Sequence, residues 1–231
     1  MPGKNTIKSY VDNGYYHIYN RGINKQVVFF SVQDYIFFIY LLKIYLSSTN
    51  TVRDLLRSQD NPHPQLLENY YREMTVICFC LMPNHFHLLV RQHDKNTISH
   101  FVHALMTKYT MYINKKYDRT GSLFQRPYKA LLITHDTYLL HLSRYIHLNP
   151  SDLQPADVIT KPQWYSFIDY PFSSYRWYLS EISNEWFSSN NILEFFRQGK
   201  LLAPQAISTY QSFVEKYNKP FPKDLTHLTL E

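Results

Sequence analysis

At 231 residues and 45% hydrophobic content, the chain is long enough to bury a full core, and one domain with an appendage suits it better than two equal halves. Twenty-four Lys and Arg against 18 Asp and Glu leave a net charge of +6, which points to a polyanionic partner, and 21 tyrosines in a 17% aromatic content suit bases that stack on rings. Cys78 and Cys80, two apart on one predicted strand, fit neither a structural disulfide nor a four-thiolate zinc site and read as buried apolar residues in a reducing compartment. The polar start, Met1 to Asn13, lacks an apolar secretory core, and the run Tyr35 to Leu42 is far short of the ~20 residues of a membrane span, so the expectation is a cytoplasmic protein with no membrane partner.

Gly14 to Asn20 predicts a first strand, followed by a polar turn over Arg21 to Lys25. Ser31 with Asp34 forms a helix-starting box, and Tyr35, Phe38, Ile39, Leu42 and Leu46 recur at helical spacing. Residues 50–70 are polar, carry Pro62 and Pro64, and read as a loop. Thr75 to Leu81 predicts a second strand, and Pro83-Asn84 turns it back into a third that carries His85 and His87. A second helix starts at Asn96 or Thr97, with Ile98, Phe101, Val102, Leu105, Tyr109, Tyr112 and Ile113 as its buried stripe. Leu123 to Gln125 and Tyr128 to Ile133 read as extended, broken by Pro127. A third helix runs from Thr134 or Asp136 to Asn149, where Pro150 stops it.

This order predicts an α+β fold, one antiparallel sheet with helices packed against it. The predicted boundaries are a flexible N-terminus over 1–13, a main domain over 14–180 and a helical accessory tail over 181–231. Within the tail, Ile192 to Phe196 and Ala206 to Tyr217 read as short helices.

Strand side chains alternate between faces, so His85 and His87 point the same way, and two neutral imidazoles side by side make a divalent-metal clamp. The same pair also fits two solvent-facing histidines on a half-exposed strand. His141, Tyr145 and Asn149, four apart, stack on one face of the third helix. With His85, His87 and the Asn149 side-chain oxygen as ligands and Tyr145 as nucleophile, they would supply a metal-assisted phosphodiester transfer. Tyr145 equally continues the apolar series Tyr138, Leu142 and Ile146, Asn149 equally ends a helix, and His141 is either a helper base or a hydrogen-bonding partner. Between Phe101 and Ala130 the bases Lys108, Lys115, Lys116, Arg119, Arg126 and Lys129 face one acid, Asp118, an imbalance that suits phosphate contact as well as a solvated helix end.

Met82-Pro83-Asn84-His85-Phe86-His87-Leu88-Leu89-Val90 resembles the His-hydrophobic-His signature of the single-tyrosine HUH transposases, and the chain resembles their REP-associated tyrosine transposase branch, within the IS200-like superfamily. Four further stretches agree in order and spacing: Tyr16 to Gly22, Arg119 to Gln125, Arg144 to Pro150, and Tyr170 to Tyr175. The resemblance covers about residues 14 to 180 and implies a ferredoxin-like HUH fold. It implies Mg²⁺ or Mn²⁺ on His85, His87 and Asn149, and attack by Tyr145 on single-stranded DNA that leaves a 5′-phosphotyrosine and a free 3′-OH. It also implies a hairpin-forming substrate and either a monomer or a homodimer, and Arg21, Lys25 and Arg144 join the basic residues above as candidate DNA contacts. Where relatives often read Gln-Gly-Arg-aromatic-Lys, this chain has Gln125-Arg126-Pro127-Tyr128-Lys129, which displaces the arginine by one position.

Two other classes compete. A domesticated, non-catalytic nucleic-acid-binding protein would keep the fold and basic surface, but binding alone does not need His85, His87, Tyr145 and Asn149 together. A zinc hydrolase would use His85, His87 and His141, but no carboxylate lies between Met74 and Gln92 to serve as a nearby base.

Overall fold

Four antiparallel strands in the order β2-β3-β1-β4 form the centre of the computed structural model, which describes residues 10–57, 68–125, 127–153, 166–199 and 208–216. In chain order the elements are β1 (Tyr15–Arg21), α1 (Val32–Leu46), α2 (Thr49–Arg57), β2 (Met74–Met82), β3 (His85–Gln92), α3 (Thr97–Lys116), β4 (Lys129–Ile133), α4 (Asp136–Leu148), α5 (Tyr175–Leu179), α6 (Asn190–Arg197) and α7 (Tyr210–Lys216). The β1-α1-β2-β3-α3-β4 succession and this strand order are the expected α+β arrangement, with β1 and β3 as central strands. Both cysteines are free and fully buried on β2.

Register decides which side chains share a face. Tyr19 stands opposite His87, Arg21 opposite His85, and Cys80 opposite His87, so these residues line one side of the sheet. Phe86 points the other way, where Phe38 of α1 meets it at 5.2 Å between ring centroids and Tyr109 of α3 meets Phe38 at 5.1 Å. Thus α1 and α3 cover the apolar face and α4 covers the histidine face. The Asp34 carboxylate caps α1, accepting the Phe30 and Ser31 backbone N–H groups at 2.8 Å each, as the Ser31/Asp34 spacing suggests.

Two features differ from the sequence expectation. The stretch read as a loop from residue 50 begins as helix α2, and residues 58–67 lie outside the described residues. Its start is held by tertiary contact: Glu185 accepts the Ser48 backbone N–H at 3.0 Å and the Ser48 hydroxyl at 3.1 Å. A partner 137 positions away leaves no local signature. The segment Leu123–Gln125 forms a single bridge, Phe124 to Gly22, rather than a strand.

The outer edge of β2 is not open. Leu81 N–H donates to the Phe172 carbonyl at 2.9 Å, Ser174 N–H to Phe79 at 3.0 Å, and Val76 N–H to Trp186 at 3.0 Å. Two irregular segments therefore satisfy backbone groups that an edge strand would otherwise present for association. Among the described residues, no helix is long and apolar enough to cross a membrane.

Candidate active site

The β2-β3 turn and the central strand β1 fix the two imidazoles. Asn84, in the turn, donates its Nδ2 to the Lys25 carbonyl at 3.1 Å, which leaves its Oδ1 facing His85 Nδ1 at 2.6 Å. An amide oxygen only accepts, so His85 carries its proton on Nδ1 and keeps the Nε2 lone pair exposed to the site. His87 Nδ1 lies 2.9 Å from His17 Nε2 of β1, and His87 Nε2 is buried without a hydrogen bond. The His85 and His87 ring centroids are 5.0 Å apart and their planes perpendicular.

From the opposite side, α4 brings Tyr145 edge-on to His87, with ring centroids 5.6 Å apart at 86°. One turn later Asn149 donates Nδ2 to the Tyr145 carbonyl at 2.8 Å, ending the helix, while its amide also lies against both imidazoles. The contact that ends the helix and the contact with the imidazoles thus come from one amide. Burial keeps His85 neutral, lowering its pKa to about 4, with the Arg21 charge adding to the effect. Burial also holds His87 well below the usual histidine range, with His85, His17 and Arg21 reinforcing it. Neutral imidazoles are the form that ligates metal.

His141 does not join this pair. Its ring packs 5.6 Å from Phe213 of α7, and among the described residues no three His, Cys, Asp or Glu side chains gather in a metal-binding group. The three-histidine hydrolase arrangement therefore lacks its third ligand.

The basic residues divide by face. Arg21 sits beside His85, with a buried Nε that makes no hydrogen bond, and Lys129 stands opposite Tyr19 on the same side of the sheet. Lys108 and Lys115 are exposed on α3, across the sheet from the histidines, and Lys25 is exposed in the turn after β1. Arg119 lies over the Phe30 ring at 5.4 Å, Arg144 Nε donates to the Phe213 carbonyl at 3.0 Å, and Arg126 lies outside the described residues. Lys116 has an internal partner, with Nζ 2.6 Å from the buried Asp34 carboxylate. Burial alone would raise the Asp34 pKa, but the Lys116 and Tyr117 hydrogen bonds and the Lys116 charge outweigh it and hold the group below the usual carboxylate range.

Sequence reasoning missed His17 and Asn84 as site residues. The Pro-Asn pair signals only a turn, and His17 meets His87 solely through strand register. A glycine after Arg21 is required by space: a Cβ on Gly22 would run into the Gln26 carbonyl.

Residues 65–149 match the family described as Transposase IS200 like. No curated protein matches the sequence. Among solved structures, a REP-associated tyrosine transposase bound to a REP hairpin is similar in fold, with a TM-score of 0.50 at 14% identity, covering 78% of this chain and 88% of that one. A crystal structure assigned as a transposase from Deinococcus radiodurans R1 aligns over 60% of this chain and 92% of its own at 16% identity, with a TM-score of 0.35. The family match spans β2, β3, α3, β4 and α4, the elements that carry both imidazoles, the tyrosine and the asparagine, so the similarity to IS200-like transposases falls on the part of the chain that builds this site.

Proposed function

We propose that this protein nicks and rejoins single-stranded DNA through a covalent 5′-phosphotyrosine on Tyr145, with a divalent ion held by His85, His87 and Asn149. The observation that carries this reading is the Tyr145 ring standing 5.6 Å from His87, whose buried Nε2 has no hydrogen-bonding partner. A buried imidazole nitrogen left unpaired costs about 1–3 kcal/mol, and a ligand role accounts for it.

Two neutral imidazoles and an amide oxygen fit Mg²⁺ or Mn²⁺, with Mn²⁺ the better match to nitrogen donors. When bound, the ion would act as a Lewis acid on a phosphate oxygen at the scissile position. The protein's own groups supply the rest. Arg21, with its unpaired Nε beside His85, offers a donor for a non-bridging phosphate oxygen. Tyr145 attacks phosphorus, the bond to the 3′ oxygen breaks, and the 5′ phosphate stays on the phenol oxygen. The phenol loses one proton and the departing 3′ oxygen gains one, so the step is neutral in protons. Attack by an acceptor 3′-OH reverses the sequence and frees Tyr145, keeping the bond energy within the protein–DNA adduct. The solved neighbour that shares this fold is bound to a REP hairpin, which supports a folded single strand as the substrate here.

The test mixes the full chain with end-labelled single-stranded hairpin DNA and Mg²⁺ or Mn²⁺ and resolves the products on a denaturing gel. A covalent adduct that disappears in Tyr145→Phe, with hairpin binding retained, is expected. An adduct that persists in Tyr145→Phe, or binding with no adduct under either metal, overturns the proposal and favours a non-catalytic DNA-binding protein.

A further inference from the structure

We infer that His17 is a positioning residue for the metal site, holding His87 in the one tautomer and orientation that presents Nε2 to the ion. The inference rests on the reading of His85, His87 and Asn149 as ligands. His17 is fully buried on β1, and its Nε2 lies 2.9 Å from His87 Nδ1. The two rings are nearly parallel, 19° apart with centroids at 5.1 Å. Tyr19 packs at 4.7 Å from His17, and strand register sets Leu89 and Leu131 directly opposite it on β3 and β4. The imidazole is fully buried on a strand paired on both sides.

Only one hydrogen atom is shared between His17 Nε2 and His87 Nδ1. If His87 donates it, its Nε2 must carry a lone pair, and that is the nitrogen left buried and unpaired beside Tyr145. If His17 donates instead, His87 Nε2 carries the hydrogen toward the Asn149 amide and has no lone pair to offer an ion. His17 as acceptor therefore matches the ligand role of His87, and it raises the basicity of the coordinating nitrogen, as outer partners of metal-bound histidines do. Asn84 performs the same service for His85. Each candidate imidazole ligand thus has a dedicated acceptor, one from a turn and one from the neighbouring central strand.

The test uses two replacements of equal length, His17→Gln, which keeps an acceptor near the Nε2 position, and His17→Met, which removes it. The readout is Mn²⁺ affinity of the full-length protein without DNA, measured from the free Mn²⁺ electron paramagnetic resonance signal, with His87→Ala as the reference for loss of the site. His17→Met is expected to weaken Mn²⁺ binding about 10- to 100-fold. His17→Gln is expected to restore it to within about 3-fold of wild type, with both variants melting within a few degrees of each other. Equal affinity in His17→Met and wild type overturns the inference, as does an equal loss in His17→Gln and His17→Met, which would mean that packing alone matters. Wild-type protein with no Mn²⁺ binding that His87→Ala removes would overturn the metal reading as well.

Discussion

Acid should destabilise this protein through His147, and the size of the effect follows from its surroundings. His147 of α4 is fully buried, with Nδ1 2.6 Å from the Tyr210 hydroxyl of α7 and Nε2 2.8 Å from Ser174 Oγ. Ser174 Oγ in turn accepts the Phe79 backbone N–H of β2 at 2.9 Å, and the Tyr210 hydroxyl donates to Ser143 at 3.2 Å. Burial lowers the His147 pKa from 6.5 to about 3. Between those values the unfolded chain binds a proton that the folded chain refuses, so stability falls as pH drops through the unfolded pKa. At 1.36 kcal/mol per unit, moving from pH 7 to pH 5 removes about 2 kcal/mol, or roughly 4–8 °C in Tm for a chain of this size. The assay compares calorimetric melting at pH 7 and pH 5, with EDTA present, for wild type and His147→Gln. Glutamine does not titrate, and contributions from the other histidines cancel in the difference. The variant is therefore expected to start lower at pH 7 but to lose about 2 kcal/mol less on acidification. An identical acid-induced drop in both proteins would refute the reasoning.

Lys116→Met should destabilise the fold by about 1.5–3 kcal/mol at pH 7, because it leaves the buried Asp34 carboxylate without its cation, and partial exposure of Lys116 keeps the figure at that level. Urea unfolding measures it, and a change below about 0.5 kcal/mol would contradict an internal role for Lys116. Arg21→Gln should lower the yield of covalent adduct at least about 10-fold while hairpin affinity falls by much less, since one donor to the scissile phosphate matters most where charge develops. Gel-shift and denaturing gels on the same samples separate the two, and parallel losses would make Arg21 a general DNA contact.

Much of the scaffold was legible because its periods are local. The His85/His87 pair and the Tyr145/Asn149 pair were found by the repeats of a strand and a helix, two and four residues, and the structure brings them to one place. Longer-range features left no such mark. Helix α2 starts on a contact with Glu185, and the β2 edge is covered by segments around Phe172 and Trp186 that have no regular repeat. Charge was the least reliable guide. Lys116 and Lys108 are equally basic in sequence, yet one closes a buried ion pair and the other is exposed on the far side of the sheet from the imidazoles.

The arrangement on α4 explains how the helix holds Tyr145 in place against the sheet. Successive residues turn by about 100°, so His147, two beyond Tyr145, projects from nearly the opposite side of the helix. Tyr145 and Asn149 face the imidazoles of β3, while Ser143 and His147 join the network through Tyr210 and Ser174 to α7 and β2. Arg144 adds a third anchor at the Phe213 carbonyl. Polar groups on one side fix the helix, and the groups on the other side meet the rigid centre of the sheet. Neither the strand pair nor the helix alone defines the candidate site, because the imidazoles stand on β3 and the tyrosine and asparagine on α4. Buried contacts hold the two elements against each other and bring these groups together.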